Sequence, residues 1–556
     1  MARRRKSSWN VVDISEANID DPSDEESELY GTSDDEEYVP DEEVDFSYEY
    51  DSDSDDSVVI DQETRERSIL RPDTWLKSKD GRIQYSKEDL PQNIRRNVIP
   101  GSIRKGPTAF ASARVVDPFS AFLLLLKPIE KIVLDMTNLY GIRKYGEKWQ
   151  MIDLKTLYAY FGLLILAGVY RSKGECVTEL WDDKRGRPIF RATMSLNYFR
   201  LLNSCIRFDD KNTRNVRRQR DKLAAIREVF EKWNKHLKTL YSLGDSVTVD
   251  EQLIPYRGKS PFTQYIPSKP YKYGIKVWAL CDSYTYYAYN MQIYTGRGVN
   301  QERERNQGQR VVLDLTEGLS GCNVTCDSLF TSYDLAKELK QRKMTIVGTV
   351  RKNRKEIPPC LLDMKRKPNF YSEFVFEPSL RLTMVSYVPK KNKYVVLLST
   401  LHTKKEVRQH DDDKKPEIIH YYNATKGGVD VLDERVGTYR CKRKVNRWPM
   451  AIFANMIDVS GFNAFVIFTE LFPQWKEKEK KYRRRLFLIE VGEQLVLPYI
   501  DSRKTLPKAN NANALVKQIR GIPDEPSSSG ILEKLPKNNK RGRCYICTSK
   551  TNHNLY

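Results

Sequence analysis

Four aspartates stand where strands end or a helix begins. Asp250 closes the alternating stretch Val247-Thr248-Val249, Asp327 follows the predicted strand Asn323–Cys326, and Asp430 and Asp433 lie on a predicted helix. Residues three apart share one helical face, so Asp433 reads as a fourth ligand or a partner of Asp430. Carboxylate oxygens suit hard divalent cations such as magnesium. Two such ions beside a phosphodiester activate the attacking oxygen and stabilise the leaving one. A single aspartate is far more often a surface or capping residue, and Asp282, which also follows a strand, carries the same weak signal. The chemistry therefore depends on elements that bring Asp250, Asp327 and Asp430 together.

Those elements are legible in the apolar spacing. Ile129, Ile132, Val133, Met136 and Tyr140, and again Leu223, Ile226, Phe230, Trp233 and Leu237, recur at helical steps, which predicts an all-helical region before the first strand. Asp153 reads as the N-cap of an apolar helix. After Gly244 the period becomes two, over 247–250, 273–280 and 287–294, an antiparallel meander. A helix at 311–319, a strand at Asn323–Cys326, a helix at 333–339 and a strand at 345–350 follow. This order is that of an RNase H-like α/β fold, in which the first and fourth strands lie side by side. A β-rich insertion is expected at 355–416, helices from Gly427 through residue 472, and a linker beyond Pro507.

Composition narrows the partner. The 556 residues carry a formal net charge of +19 although the first sixty or so hold acidic runs, so the remainder is more basic still. A basic surface favours polyanions, and nucleic acid above all, over a small-molecule substrate. The apolar run at 157–170 is shorter than a membrane span needs, and no membrane partner is expected. Nine cysteines, mostly isolated, suit a reducing compartment. Residues 1–109, acidic and poor in apolar positions, are expected to remain disordered.

The words around the acids are specific. Val249-Asp250-Glu251-Gln252-Leu253-Ile254-Pro255-Tyr256-Arg257-Gly258, Thr325-Cys326-Asp327-Ser328-Leu329-Phe330, and Lys426-Gly427-Gly428-Val429-Asp430-Val431-Leu432-Asp433 closely resemble the core of piggyBac transposases, with a likeness running over residues 110–505. The resemblance implies a cut-and-paste enzyme of the DDD class. Asp250, Asp327 and Asp430 would bind two Mg2+ ions, with Asp433 a further catalytic acid. Excision at TTAA through DNA hairpins and insertion at TTAA by strand transfer are implied in the same way.

The resemblance also implies a homodimer acting on double-stranded DNA. Its domains would be the tail at 1–109, a split helical dimerisation and DNA-binding domain at 110–245 and 440–510, and a catalytic core at 246–354 and 417–439. The insertion at 355–416 interrupts that core, and a basic, truncated cysteine-rich tail occupies 511–556. Basic residues near the acids are candidate DNA contacts: Arg257, Lys269, Lys272, Lys276, Arg351, Arg354, Lys442, Lys444, Arg443 and Arg447. Trp448 is placed either on an unpaired base or in the core.

The family usually ends in a zinc-binding cross-brace. Here Cys544, Cys547 and His553 offer three ligands, one fewer than a tetrahedral structural site takes, so no zinc domain is expected to close within one chain. Arg3-Arg4-Arg5-Lys6 and the stretch from Lys534 to Arg543 are candidate nuclear import signals. The alternative is a domesticated, transposase-derived nuclear DNA-binding protein that does not cut. An acidic tail on a basic body should compete with DNA, so deleting it should raise non-specific duplex affinity in a titration at matched salt; an unchanged affinity removes that idea.

Overall fold

A computed structural model describes residues 75–90, 105–267, 269–296, 304–408 and 412–523. Its strands are β1 Leu76–Lys77, β2 Gln84–Tyr85, β3 Gly106–Pro107, β4 Tyr241–Ser242, β5 Ser246–Pro255, β6 Thr263–Tyr265, β7 Tyr273–Asp282, β8 Ala288–Ile293, β9 Asn323–Cys326, β10 Thr345–Thr349, β11 Ser372–Glu377, β12 Leu382–Lys390 and β13 Lys393–Ser399. The last nine form one mixed sheet in the order β11-β12-β13-β10-β9-β5-β7-β6, with β8 also on β7. Strands β5, β9 and β10 run parallel, and the other pairings are antiparallel. The three strands of the expected insertion thus extend the same sheet, through β13 on β10.

Alternation assigns each face. Val247 and Val249 of β5, with Trp278 and Leu280 of β7, pack on one side against helices Gln307–Leu315 and Tyr333–Gln341. Ile254, Ile275, Val277 and Ala279 point the other way, into a larger core shared with the helices. Under β10 to β13, helix Glu417–Thr425 covers a third cluster with Val347, Phe376, Val385 and Leu397.

The helical layer is built around Trp448–Leu471, buried for most of its length, with Leu154–Val169, Arg227–Leu240 and Arg483–Asp501 in the same core. Asp153 caps the second of these, accepting from the Thr156 N–H. Trp448–Leu471 is long and apolar enough to cross a membrane, which the sequence reading of 157–170 as the longest apolar run missed; 83% of its apolar window is buried inside the protein. Its polar residues tie it down. The fully buried Asn463 accepts from Ala288 N–H and donates to Ala288 O, both at 2.9 Å, fixing the helix to edge strand β8. Trp233 Nε1 donates to Ser460 Oγ at 2.9 Å.

Two expectations are corrected. Folded structure begins before residue 110: β1 and β2 form a hairpin at 76–85, Tyr85 is fully buried and donates to Glu356 O at 2.7 Å, and Ser86 bridges to Phe376. Pro107 of β3 pairs with Tyr241 of β4. A few apolar anchors among charged neighbours are enough here because the main sheet is already there to bury them. Likewise the linker expected beyond Pro507 contains helix Asn510–Ile519, which buries Ala512 and Val516, one turn apart, beside helix Pro188–Thr193. The acidic runs of the N-terminal tail and Cys544, Cys547 and His553 lie outside the described residues.

A buried carboxyl gives the helical layer a pH signature. Asp458 accepts from Cys441 N–H at 2.9 Å, and burial pushes its pKa up to about 7, against the opposing pull of Arg440 and Lys442. With the folded-state pKa raised, the stability it contributes is complete below the ordinary carboxylate range and is lost as pH rises through about 7. Asp458→Asn keeps an acceptor and loses the titration. Thermal melts should show the variant more stable than the parent by about 1–3 kcal/mol at pH 8, with the gap closing as pH falls toward 4; a gap independent of pH contradicts this.

Candidate active site on the central strands

Parallel pairing of β5 and β9 sets Val249 opposite Cys326, so the next residue on each strand, Asp250 and Asp327, stands at the same level on neighbouring strands. Asp250 does not close its strand as expected, since β5 continues to Pro255 on its hydrogen bonds to β7; it sits midway, on the Thr248, Gln252 and Ile254 side, facing helix Gly428–Thr438. Asp327 is held by a tight turn. Its carboxylate accepts from Leu329 N–H at 2.9 Å, and its carbonyl accepts from Thr331 N–H at 3.1 Å and Thr331 Oγ1 at 2.8 Å.

The third acid arrives by close packing. Thr248 Oγ1 donates to Thr425 O at 2.6 Å, and Thr425 Oγ1 lies 2.8 Å from Thr325 Oγ1, which seats the end of helix Glu417–Thr425 across β5 and β9. The following helix then starts at Gly428, where a Cβ would meet Thr248 Oγ1 at 2.5 Å. Only glycine permits that approach. It places Asp430 in the first turn of Gly428–Thr438, where the helix dipole favours negative charge.

The electrostatics show that these groups feel one another. Burial raises the Asp250 carboxyl well above the usual range, and Asp327 and Asp430 push it further, while Lys269 opposes them. Burial also raises Asp327, with the Leu329 N–H and Arg351 pulling it down and Glu251 pushing it up. Asp433 is raised by burial, against Lys269 and the amide of Gln252. That amide is completely buried, and neither its nitrogen nor its oxygen has a partner at hydrogen-bond distance; it lies near Asp433 without bonding it.

Lys269 sits among the acids. Its ammonium donates to Asp430 Oδ1 and to Glu251 O, each at 3.0 Å. Burial alone would lower its pKa, but Asp430, Asp250 and Asp433 hold it above the ordinary value. Lys276, on β7, pairs with the Glu251 carboxylate. Sequence reasoning quoted Glu251 and Gln252 only as neighbours of Asp250. The period of two could have placed Gln252 on the face of Asp250. Asp282 is a capping residue, fully engaged with the N–H groups of Gly244, Tyr284 and Thr285.

The other basic candidates divide. Arg257, Lys272, Arg351 and Lys444 are exposed, and Arg354 and Lys442 are half-buried. Arg443 and Arg447 turn inward, against the expectation that puts them on DNA. Arg443 donates to Ser172 O and Ser172 Oγ at 2.8 and 2.9 Å, and Arg447 to Ile206 O at 2.8 Å, so both brace the helical layer through main-chain carbonyls. Trp448 packs edge-on to Phe262 with ring centres 5.0 Å apart. Exposed aromatics near the acids include Tyr265, Tyr271 and Tyr273, on the β6–β7 hairpin that carries Lys269. Tyr271 accepts from Lys173 at 3.1 Å and lies under the Arg440 guanidinium, 4.6 Å from the ring centre.

Among the described residues, no three His, Cys, Asp or Glu side chains are gathered closely enough to hold a metal ion as they stand. The donor set is nonetheless suited to one. Carboxylates that push the Asp250 carboxyl up, with an ammonium held among them, form a site of negative potential lined by hard oxygen.

The family described as Transposase IS4 matches residues 117–465. Human PiggyBac transposable element-derived protein 3 is 22% identical over 474 residues, covering 82% of this chain and 76% of that protein. Human PiggyBac transposable element-derived protein 2 is 22% identical over 355 residues, and there the chain spans 58% of the relative's length. A cryo-EM structure of a piggyBac transposase synaptic complex with hairpin DNA superposes with a TM-score of 0.69 at 34% identity, covering 81% of this chain and 94% of that one. The four-aspartate words, the sheet that gathers them and these matches agree, and the chain belongs to the piggyBac transposase family.

Proposed function

We propose that the chain is a DDD-class DNA transposase that excises an element at TTAA through hairpin intermediates and inserts it at TTAA. The observation that carries this reading is the placement of Asp250 and Asp327 at one level on adjacent parallel strands, with Asp430 close enough to perturb Asp250. The order of β5 through β10 with their two covering helices supports an RNase H-like core over 246–354 and 417–439. The helical layer at 110–245 and 440–510 would then be the split dimerisation and DNA-binding domain, and 355–416 the insertion.

Asp250, Asp327 and Asp430 would hold two Mg2+ ions, which when bound supply an activated oxygen nucleophile and stabilise the leaving oxygen of a phosphodiester. Everything else is the work of the chain. The turn at 327–331 fixes one carboxylate, the Gly428 contact fixes the helix bearing another, and the exposed Arg351 and Lys272 offer cations to the DNA backbone near them. Tyr265, Tyr271 and Tyr273 would stack on bases that a hairpin leaves unpaired. A homodimer in the nucleus is the expected working state.

A second reading, a transposase-derived DNA-binding protein without cleavage, is favoured by the human relatives, which are named as element-derived proteins. A TTAA-flanked reporter with cognate ends, assayed in cells, separates the two. Precise TTAA repair and new insertions that fall on the order of a hundredfold or more in Asp327→Asn are the expected result. No events from either chain, with DNA binding intact, would support the second reading and overturn the first.

A further inference from the structure

The hairpin between β6 and β7 carries two features at once. Its tip folds back, with Ile266 N–H donating to Lys272 O at 2.8 Å and Lys269 N–H to Ile266 O at 3.3 Å. Its outer side exposes Tyr265, Tyr271 and Tyr273 beside Lys272, while its inner side sends Lys269 into the acids. The Lys269 side chain is 16% exposed, although its partner Asp430 is 63% exposed. An exposed lysine–aspartate pair is worth little, because water competes for both groups. Here one partner is sheltered, is held a second time by Glu251 O, and stands in the field of Asp250 and Asp433.

From this geometry we infer that Lys269 is a positioning residue that couples metal loading to DNA binding, by serving as the internal counter-cation of Asp430 until a DNA phosphate takes its ammonium. The inference rests on the two-metal reading of the site. In the structure Asp430 is paired with Lys269, whose ammonium thus stands where it competes with a cation for that carboxylate. A duplex docking on the hairpin presents phosphates within reach of the same lysine. Moving the ammonium from carboxylate to phosphate frees Asp430, so metal and DNA each strengthen the binding of the other by the same factor. Metal would thereby be retained mainly by DNA-bound chains.

The test is Mn2+ titration of the full chain, followed by the electron paramagnetic resonance of free Mn2+, with and without a short duplex, for the parent, Lys269→Met and Lys269→Arg. Lys269→Met should bind Mn2+ more tightly than the parent in the absence of DNA, by roughly 5- to 150-fold. Duplex should tighten Mn2+ binding to the parent and to Lys269→Arg by a larger factor than to Lys269→Met, where only the phosphate's own contact with the metal remains. A merely structural lysine would leave the DNA effect at its full size. Equal or weaker Mn2+ binding by Lys269→Met, with a melting temperature matching the parent, overturns the coupling and leaves the metal site standing. If that variant melts early, Lys269→Gln replaces it under the same criterion. Absence of Mn2+ binding by every chain, with or without duplex, overturns the metal site and the coupling together.

Discussion

Like charges brought together in a half-buried place repel, and the rest of this structure is arranged around that repulsion. Asp250, Asp327, Asp430 and Asp433 come from the middle of β5, the end of β9 and one helix, and burial with mutual proximity raises Asp250 far above an ordinary carboxylate. Such a group of acids persists only if the backbone carrying them is more rigid than the force separating them. Rigidity comes from three supports. Register fixes Asp250 beside Asp327, the turn at 327–331 fixes the second carboxylate, and the Thr248–Gly428 contact seats the helix bearing Asp430 and Asp433.

The helical layer serves the same end from outside. Asn463 ties the buried Trp448–Leu471 helix to β8, and β8 is bonded to β7, which is bonded in turn to the strand of Asp250. Arg443 and Arg447 donate to carbonyls at the ends of other helices, so their guanidinium groups brace the layer. Arg257, Lys272 and Arg351, by contrast, are exposed and leave their charge to solvent.

Much of this was legible in the amino acids. Strand β9 was expected at its observed bounds, and β7, β8 and β10 within a few residues, because buried strands flanked by Gly, Asp and Asn leave a clear period of two, whereas β5 runs on to Pro255, well past the expected end at Asp250. The face of Asp250 follows from that period, and its neighbour across the sheet follows from the strand order. Side-chain direction was not legible. Nothing in Lys442-Arg443-Lys444 or Asn446-Arg447-Trp448 distinguishes a DNA contact from an internal brace, since both uses require a cation beside a helix start. The ion pair of Lys269 with Asp430 joins residues distant in sequence, and only the folded sheet brings them together. The early hairpin at 76–85 was hidden by its acidic surroundings, because burial there depends on a partner surface and not on local composition.

The central claim is that Asp250, Asp327 and Asp430 form one metal-dependent centre. Anomalous diffraction from Mn2+-soaked crystals of the full chain bound to a DNA duplex tests it most directly. The account predicts two manganese peaks bounded by those three carboxylates, with the Lys269 ammonium withdrawn from Asp430. Manganese bound elsewhere, or Asp430 still paired with Lys269 while DNA occupies the site, would contradict it.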